Sequence, residues 1–304
     1  MDRRPVGVAL VVLALAAGMV LPALSGLRST GTAVPIALPT PPAVGECVAQ
    51  LSRPSGETDR TPPQLAASAV LFGICRGSIA GEVVAFWPTQ ETLANAPRSR
   101  RAGPCYPPLA DFTGLNVKDA ATDPASTSWI EPVSWRSALS YQAYLIIPSD
   151  LELRAGREWS ACVIAPAAER EYVGSLRDSY REGSLPTVFG SCWESDGSGL
   201  LAGPVDCTEP HAAQLMATAW NGTRVFASGA DVLASCTRMA GRVMDVDDPT
   251  RGDQLAVIAD RMAALIPSWD GNPSSIGCFV SVAGERRMTG LVIGLGDRPV
   301  RFVS

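Results

Sequence analysis

The chain has 304 residues, 46% hydrophobic and 18% charged, a composition that folds rather than stays disordered. Its 25 Lys+Arg against 30 Asp+Glu leave a net charge of −5, which argues against nucleic acid as a partner. The sequence holds 1 histidine, His211, and so excludes any site that needs two, HExxH zinc hydrolases and bridged di-metal centres among them.

The first element in chain order is the uncharged run from Pro5 to Leu24, preceded by Arg3 and Arg4. An apolar stretch of roughly twenty residues crosses a hydrocarbon core of ~30 Å, and basic residues ahead of it keep the N-terminus cytoplasmic. Residues 1–28 are therefore expected to form a transmembrane signal anchor. Cleavage near Ala23-Leu24-Ser25 or Gly31-Thr32-Ala33, followed by secretion, is the alternative. Residues 29–44 are rich in Pro, Ser and Thr and read as a semi-extended spacer that holds the folded part off the membrane. All 8 cysteines lie beyond it, in a compartment where thiols oxidise, and an even number there reads as a disulfide framework. Cys-x-x-Cys is absent, which counts against a thioredoxin-like redox site or a zinc ribbon, and we expect no metal and no cofactor.

The cysteines divide evenly between two segments. Cys47, Cys75, Cys105 and Cys162 fall in residues 45–176, and Cys192, Cys207, Cys236 and Cys278 in residues 187–304, with a polar linker at 177–186. Local contexts match across the two sets. Gly45-Glu46-Cys47 answers Gly190-Ser191-Cys192, Trp87 closes a strand-like run after Cys75 as Trp220 does after Cys207, and Gly174 and Gly290 each follow the last cysteine of their set. In the first segment SAVLFGIC, EVVAFW, YQAYLIIP, WSACVIA and YVGSL read as strands; in the second, LAVIA, GCFVSVA and MTGLVIGLG do. CWESDGSGLLAGPVDC reads as two strands about a turn, bringing Cys192 and Cys207 within reach of each other. Ser228-Gly-Ala-Asp231 opens a helix to about Met244 with Val232, Cys236, Met239, Ala240 and Val243 on one face, whereas Pro104, Pro107 and Pro108 weaken its counterpart around Cys105. The expected fold class is α+β: two tandem repeats of a small disulfide-bonded domain with an antiparallel sheet and one helix, after an N-terminal transmembrane helix.

The combination of Gly-x-Cys, a Cys-x-Glu-Pro-His motif with an acidic or amide residue shortly after it, a helix-borne Cys and a late Gly resembles the septum formation family of bacterial envelope proteins. Cys207-Thr208-Glu209-Pro210-His211 carries the motif, with Gln214 where the family favours Glu. The first segment keeps Glu82 at the equivalent place but reads Arg76-Gly77-Ser78-Ile79 instead of the Glu-Pro-His portion; its Gly174-Ser175-Leu176 is the closer match at the other end. The resemblance implies a single-pass or secreted envelope protein connected with septation, and an envelope protein or the cell wall as partner.

His211 is the residue that a hydrolase would need as its base, and no Gly-x-Ser-x-Gly elbow accompanies it. A structural role, its ring bonded to backbone in a Pro-containing turn, is favoured. Trp87 and Trp220 are read as packing residues before sugar-stacking platforms, and Asp245, Asp247, Asp248 and Asp253 as a solvated acidic turn before a calcium loop. Recognition is placed on Glu209, Pro210, His211 and Trp220, because only the second segment keeps Glu-Pro-His and the scaffold evidently does without it in the first. For the bridges we favour Cys47 with Cys75, Cys105 with Cys162, Cys192 with Cys207 and Cys236 with Cys278.

Overall fold

The structure, a computed structural model, describes residues 37–53, 62–97, 103–115, 135–167, 170–196, 201–220, 229–265 and 275–303, apart from 283 and 285. The expected membrane segment lies outside the described residues, as do the first half of the spacer and Ser228 of the expected capping box. Among the described residues no helix is long and apolar enough to cross a membrane.

Pro41–Ser304 forms one compact unit. Its first half contributes β1 (Cys47–Leu51), β2 (Gln64–Ala66), β3 (Val70–Gly73), β4 (Ser78–Ile79), β5 (Gly81–Trp87), α1 (Gln90–Ala94), α2 (Tyr106–Thr113), β6 (Arg136–Ser137), β7 (Tyr141–Ile147), α3 (Asp150–Arg154), β8 (Ser160–Pro166), β9 (Tyr172–Val173) and α4 (Ser179–Glu182). The second contributes β10 (Cys192–Ser195), β11 (Leu201–Val205), β12 (Ala213–Trp220), α5 (Gly229–Met244), β13 (Leu255–Arg261), α6 (Met262–Leu265), β14 (Ser275–Val282), β15 (Arg287–Met288) and β16 (Phe302–Val303). The mixed α+β class is as expected.

One sheet runs β3-β1-β5-β8-β7-β2 and the other β11-β10-β12-β14-β13. Apart from β2 the two orders correspond strand for strand. β5 and β12 each bulge at the same step, between Val83 and Ala85 against β8 and between Leu215 and Ala217 against β14. The expectation of purely antiparallel sheets needs one correction, because β2 pairs parallel to β7 with Gln64 opposite Leu145. β1 and β2 are consecutive in the chain yet are not neighbours in the sheet, so they do not form a hairpin and β2 is not bound to the antiparallel sense.

α5 forms because Val232, Cys236, Met239, Ala240 and Val243 recur at helical spacing, and all are buried. α2 is half as long, 8 residues against 16. Pro107 and Pro108 are tolerated in its first turn, where the backbone N–H groups have no partner within the helix in any case. Cys236 lies within α5 and Cys105 immediately ahead of α2, so each half carries one helix tied by a disulfide. The short α1, α3, α4 and α6 are additions to the one helix expected per unit, and α1 and α3 are each opened by a reciprocal cap, Thr89 with Thr92 and Ser149 with Glu152.

Two expected strands are cut short. Of YVGSL only Tyr172 and Val173 pair, and of MTGLVIGLG only Met288 does, joined by Arg287. Gly174 (φ +103°), Gly290 (+77°), Gly294 (+60°) and Gly296 (+57°) turn the backbone out of the β region at those points.

The inward faces of both sheets share one continuous core. Val84, Cys162 and Ile164 from the first sheet and Met216, Cys278 and Val280 from the second meet Leu109 and Phe112 of α2 and Val232, Met239 and Val243 of α5 there. The outer faces carry smaller separate clusters, one built on Val83, Ala161 and Val163, the other on Ala213, Leu215 and Phe279. The polar segment 177–186 joins the halves and also packs between them, since Ser179, Tyr180 and Leu185 are buried and Tyr180 Oη donates to the Arg242 carbonyl. A further crossing was not visible in the sequence: β6, from the first half, pairs with β12 of the second.

The four disulfides join Cys47–Cys75, Cys105–Cys162, Cys192–Cys207 and Cys236–Cys278, the favoured pairing. Four such bridges fit an oxidising, extracytoplasmic environment.

Candidate functional site

The Cys-x-Glu-Pro-His motif folds into a tight loop ahead of β12. Asp206 accepts from Thr208 N–H and Thr208 Oγ, both at 2.9 Å, and from the Arg170 guanidinium. The Thr208 N–H is the largest of the causes that hold the Asp206 carboxyl below its ordinary range. Glu209 N–H closes the turn on the Asp206 carbonyl (3.0 Å), which leaves Glu209 and Pro210 exposed at the tip.

His211 turns the other way. It is fully buried, and its backbone exchanges two hydrogen bonds with Met288, N–H to O at 2.9 Å and O from N–H at 2.8 Å. Nδ1 lies 2.8 Å from the Glu209 carbonyl, an acceptor only, so Nδ1 carries the hydrogen and donates it. Nε2 is buried with no hydrogen-bond partner among the described residues. Burial pushes the imidazole pKa down, the Glu209 bond opposing it, so the ring is neutral.

The first half carries a different residue at the corresponding position. Counting from the preceding cysteine, His211 answers Ile79, which is equally buried and pairs with Tyr172 as His211 pairs with Met288. A plain hydrocarbon fills the place in one half and an imidazole in the other.

Glu82 and Gln214 likewise correspond, since Cys47 pairs with Glu82 and Cys192 with Gln214. Glu82 is buried; its Oε1 accepts from Ser175 Oγ and its Oε2 from Leu176 N–H, both at 2.7 Å. Burial pushes its carboxyl above the ordinary range, with those two bonds and the Arg177 charge pulling in the opposite sense. Gln214, also buried, accepts from Val292 N–H through Oε1 at 2.8 Å. In both halves, then, a side chain beside the first disulfide grips the backbone two residues past a glycine of positive φ, Gly174 or Gly290. The Gly-x-Cys glycine makes room for this in the second half. A Cβ on Gly190 would lie 2.3 Å from Leu291 Cδ2, 2.7 Å from Cys207 Sγ and 3.2 Å from Gln214 Nε2.

These motif residues therefore fasten the fold. Cys47, Cys75 and Glu82 bring ligand-type atoms within 4.8 Å of one another, but both sulfurs are spent in a disulfide and cannot act as thiolates.

The four residues expected to recognise a ligand do not converge. Glu209 and Pro210 are exposed together, His211 is interior, and Trp220 ends β12 nine residues further on, about 30 Å along an extended strand. Nor are the two tryptophans equivalent: Trp87 lies two residues past Ala85, which faces Cys162, and Trp220 three past Ala217, which faces Cys278. Trp87 is half-buried against the shared core, in keeping with packing. In the acidic segment Asp248 accepts from Thr250 Oγ (2.6 Å), Thr250 N–H (2.9 Å) and Gly252 N–H (2.9 Å), bonds that occupy it within its own turn.

Sequence reasoning passed over one buried pair. The Trp135 indole N–H, just ahead of β6, donates to Ser235 Oγ of α5 at 2.9 Å, and Trp135 belongs to the shared core. A paired stretch of two residues carries no alternation to signal it.

No protein-family model, no curated protein and no solved structure matches this chain.

Proposed function

We propose that this chain is a membrane-tethered extracytoplasmic protein of the cell envelope, a non-catalytic binding or scaffolding module built from two copies of one disulfide-bonded unit. The observation that carries the reading is His211 standing where the other half has a buried isoleucine. The histidine that a Ser/His/Asp or His/Glu site would need as its base has its Nδ1 committed to a carbonyl and its Nε2 enclosed, which favours the non-catalytic reading. Duplication is supported by the shared strand order, the shared bulge position and the matching grips of Glu82 and Gln214. The uncharged run from Pro5 to Leu24 supports the tether, and the Cys-x-Glu-Pro-His motif supports a link with septation.

On this reading the recognition surface includes the exposed tip Glu209-Pro210, held rigid between the Cys192–Cys207 bridge and the His211–Met288 pair. The test is a photoreactive residue at position 209 of the full chain, irradiated in intact cells. A discrete adduct with an envelope protein or cell-wall component, reduced by Pro210→Ala in the same chain, supports the reading. A region past residue 45 protected from outside probes, or a hydrolytic activity abolished by His211→Ile in a folded protein, overturns it.

A further inference from the structure

We propose that the edge of β5 beyond Glu82, with the cleft beside it, docks an extended peptide segment of a partner protein that carries a tryptophan or similarly large aromatic residue next to its paired backbone. The inference rests on the binding-module reading and names the kind of partner.

The second half supplies the template. β10 pairs with β12 only at Ala213 and Gln214. Beyond them the same edge is taken by β6, with Ser137 opposite Ala217, Arg136 opposite Thr218, and Ala138 N–H donating to the Met216 carbonyl at 2.9 Å. The residue next to this ladder, Trp135, is buried to 5% exposure and anchored on Ser235, the neighbour of Cys236.

The first half has the same edge, with no such occupant among the described residues. β1 pairs with β5 only at Gly81 and Glu82. Ala85 and Phe86 face Cys162 and Ala161 on β8, as Ala217 and Thr218 face Cys278 and Gly277 on β14. On their other side no strand pairs with them among the described residues. Where the second half seats Trp135, the first half has an open cleft of about 430 Å³ lined by Ala85, Trp87, Pro107, Pro108, Asp111 and Phe112. Pro107 and Pro108 follow Cys105, the counterpart of Cys236, so the cleft lies at the corresponding disulfide. Asp111 is the charged member of this lining.

An unpaired edge offers backbone donors and acceptors to any extended segment, and an adjacent pocket for one side chain gives such pairing its selectivity. The cleft is walled by proline and aromatic carbon, surfaces that take a flat aromatic ring. The expected ligand therefore runs antiparallel to β5, in the sense that β6 runs to β12.

The probe is a synthetic peptide of residues 133–139, Val-Ser-Trp-Arg-Ser-Ala-Leu, offered to the purified full chain. We expect saturable binding, weakened about tenfold when the peptide tryptophan is alanine, a loss of about 1.4 kcal/mol. With benzoylphenylalanine in place of that tryptophan, irradiation should place the adduct on 84–97 or 105–113. Trp87→Ala, with disulfides mapped to confirm folding, should weaken binding alike. No saturable binding overturns the proposal, as do adducts on β12 or α5, which would mean exchange with β6. A concentration-dependent dimer dissolved by the peptide also overturns it, by assigning the edge to a second copy. The adduct formed from position 209 in intact cells is independent of this edge, so its persistence alongside a failed peptide experiment would remove the docking site and leave the module reading in place.

Discussion

In the first half a carboxylate, Glu82, grips the strap at Leu176, and an isoleucine, Ile79, fills the pocket below the loop. In the second half an amide, Gln214, grips Val292, and a histidine fills the equivalent pocket. The two sheets keep the same strand order through these exchanges. The comparison teaches that the geometry around the first disulfide demands a hydrogen-bond acceptor at one point and volume at the other, and is indifferent to the charge that comes with them.

The sharpest way to break the equivalence is through the bridges. Their sequence separations are 28 and 57 in the first half and 15 and 42 in the second. In the chain-entropy model, loss of Cys105–Cys162 costs about 4.2 kcal/mol and loss of Cys192–Cys207 about 3.0 kcal/mol. Denaturant unfolding of the paired Cys→Ser variants should rank them in that order, and a larger loss from the short loop would show that native contacts, not loop closure, dominate.

The straps come next. Gly174→Ala and Gly290→Ala place a Cβ in open space, so each should lose about 1–2 kcal/mol from backbone strain alone. Equal losses by thermal unfolding would support equivalent straps, whereas a neutral variant at either site would show that strap to be loosely held.

Two exchanges between halves then read the buried polar groups by pH. Glu82 has its folded pKa raised, so the stability it contributes is present at and below the ordinary glutamate value of 4.5 and is lost as the pH rises through the folded value. Glu82→Gln, which copies Gln214, should therefore gain on the wild type as the pH is raised above 4.5. His211 has its folded pKa lowered, so its contribution is present above the ordinary value of 6.5 and is lost as the pH falls through the folded value. His211→Ile, which copies Ile79, should stay within about 1 kcal/mol of wild type at neutral pH and overtake it on acidification. Urea titrations of both variants across pH 4 to 8 check the two signs, and a flat difference for either would place that group in water.

Much of this was legible in the sequence. Val232, Cys236, Met239 and Val243 pointed to the buried face of α5, and the turn between Cys192 and Cys207 to their bridge, because helical spacing and a short turn are local properties. The correspondence of Glu82 with Gln214 could be read from position, though not its purpose, since the Leu176 and Val292 amides lie far along the chain from the groups they bond. Glu209, Pro210 and His211 are consecutive in the chain, yet the first two are exposed and the third is buried, a split that spacing alone does not reveal. The seating of β6 on β12 escaped notice because register between distant segments is decided by tertiary packing, here the Trp135–Ser235 bond, and leaves no periodic mark. The segments after Gly174 and Gly290 looked like strands because β-branched content was weighed above the glycines that break them.

Each bridge joins a cysteine to the next one in the chain, with no interleaving. A polypeptide exported from its N-terminal end would thus present every thiol with its correct partner before the following one emerged. An oxidant that simply joins neighbours in order of arrival yields the native pattern, and the protein can mature without an isomerase to correct it.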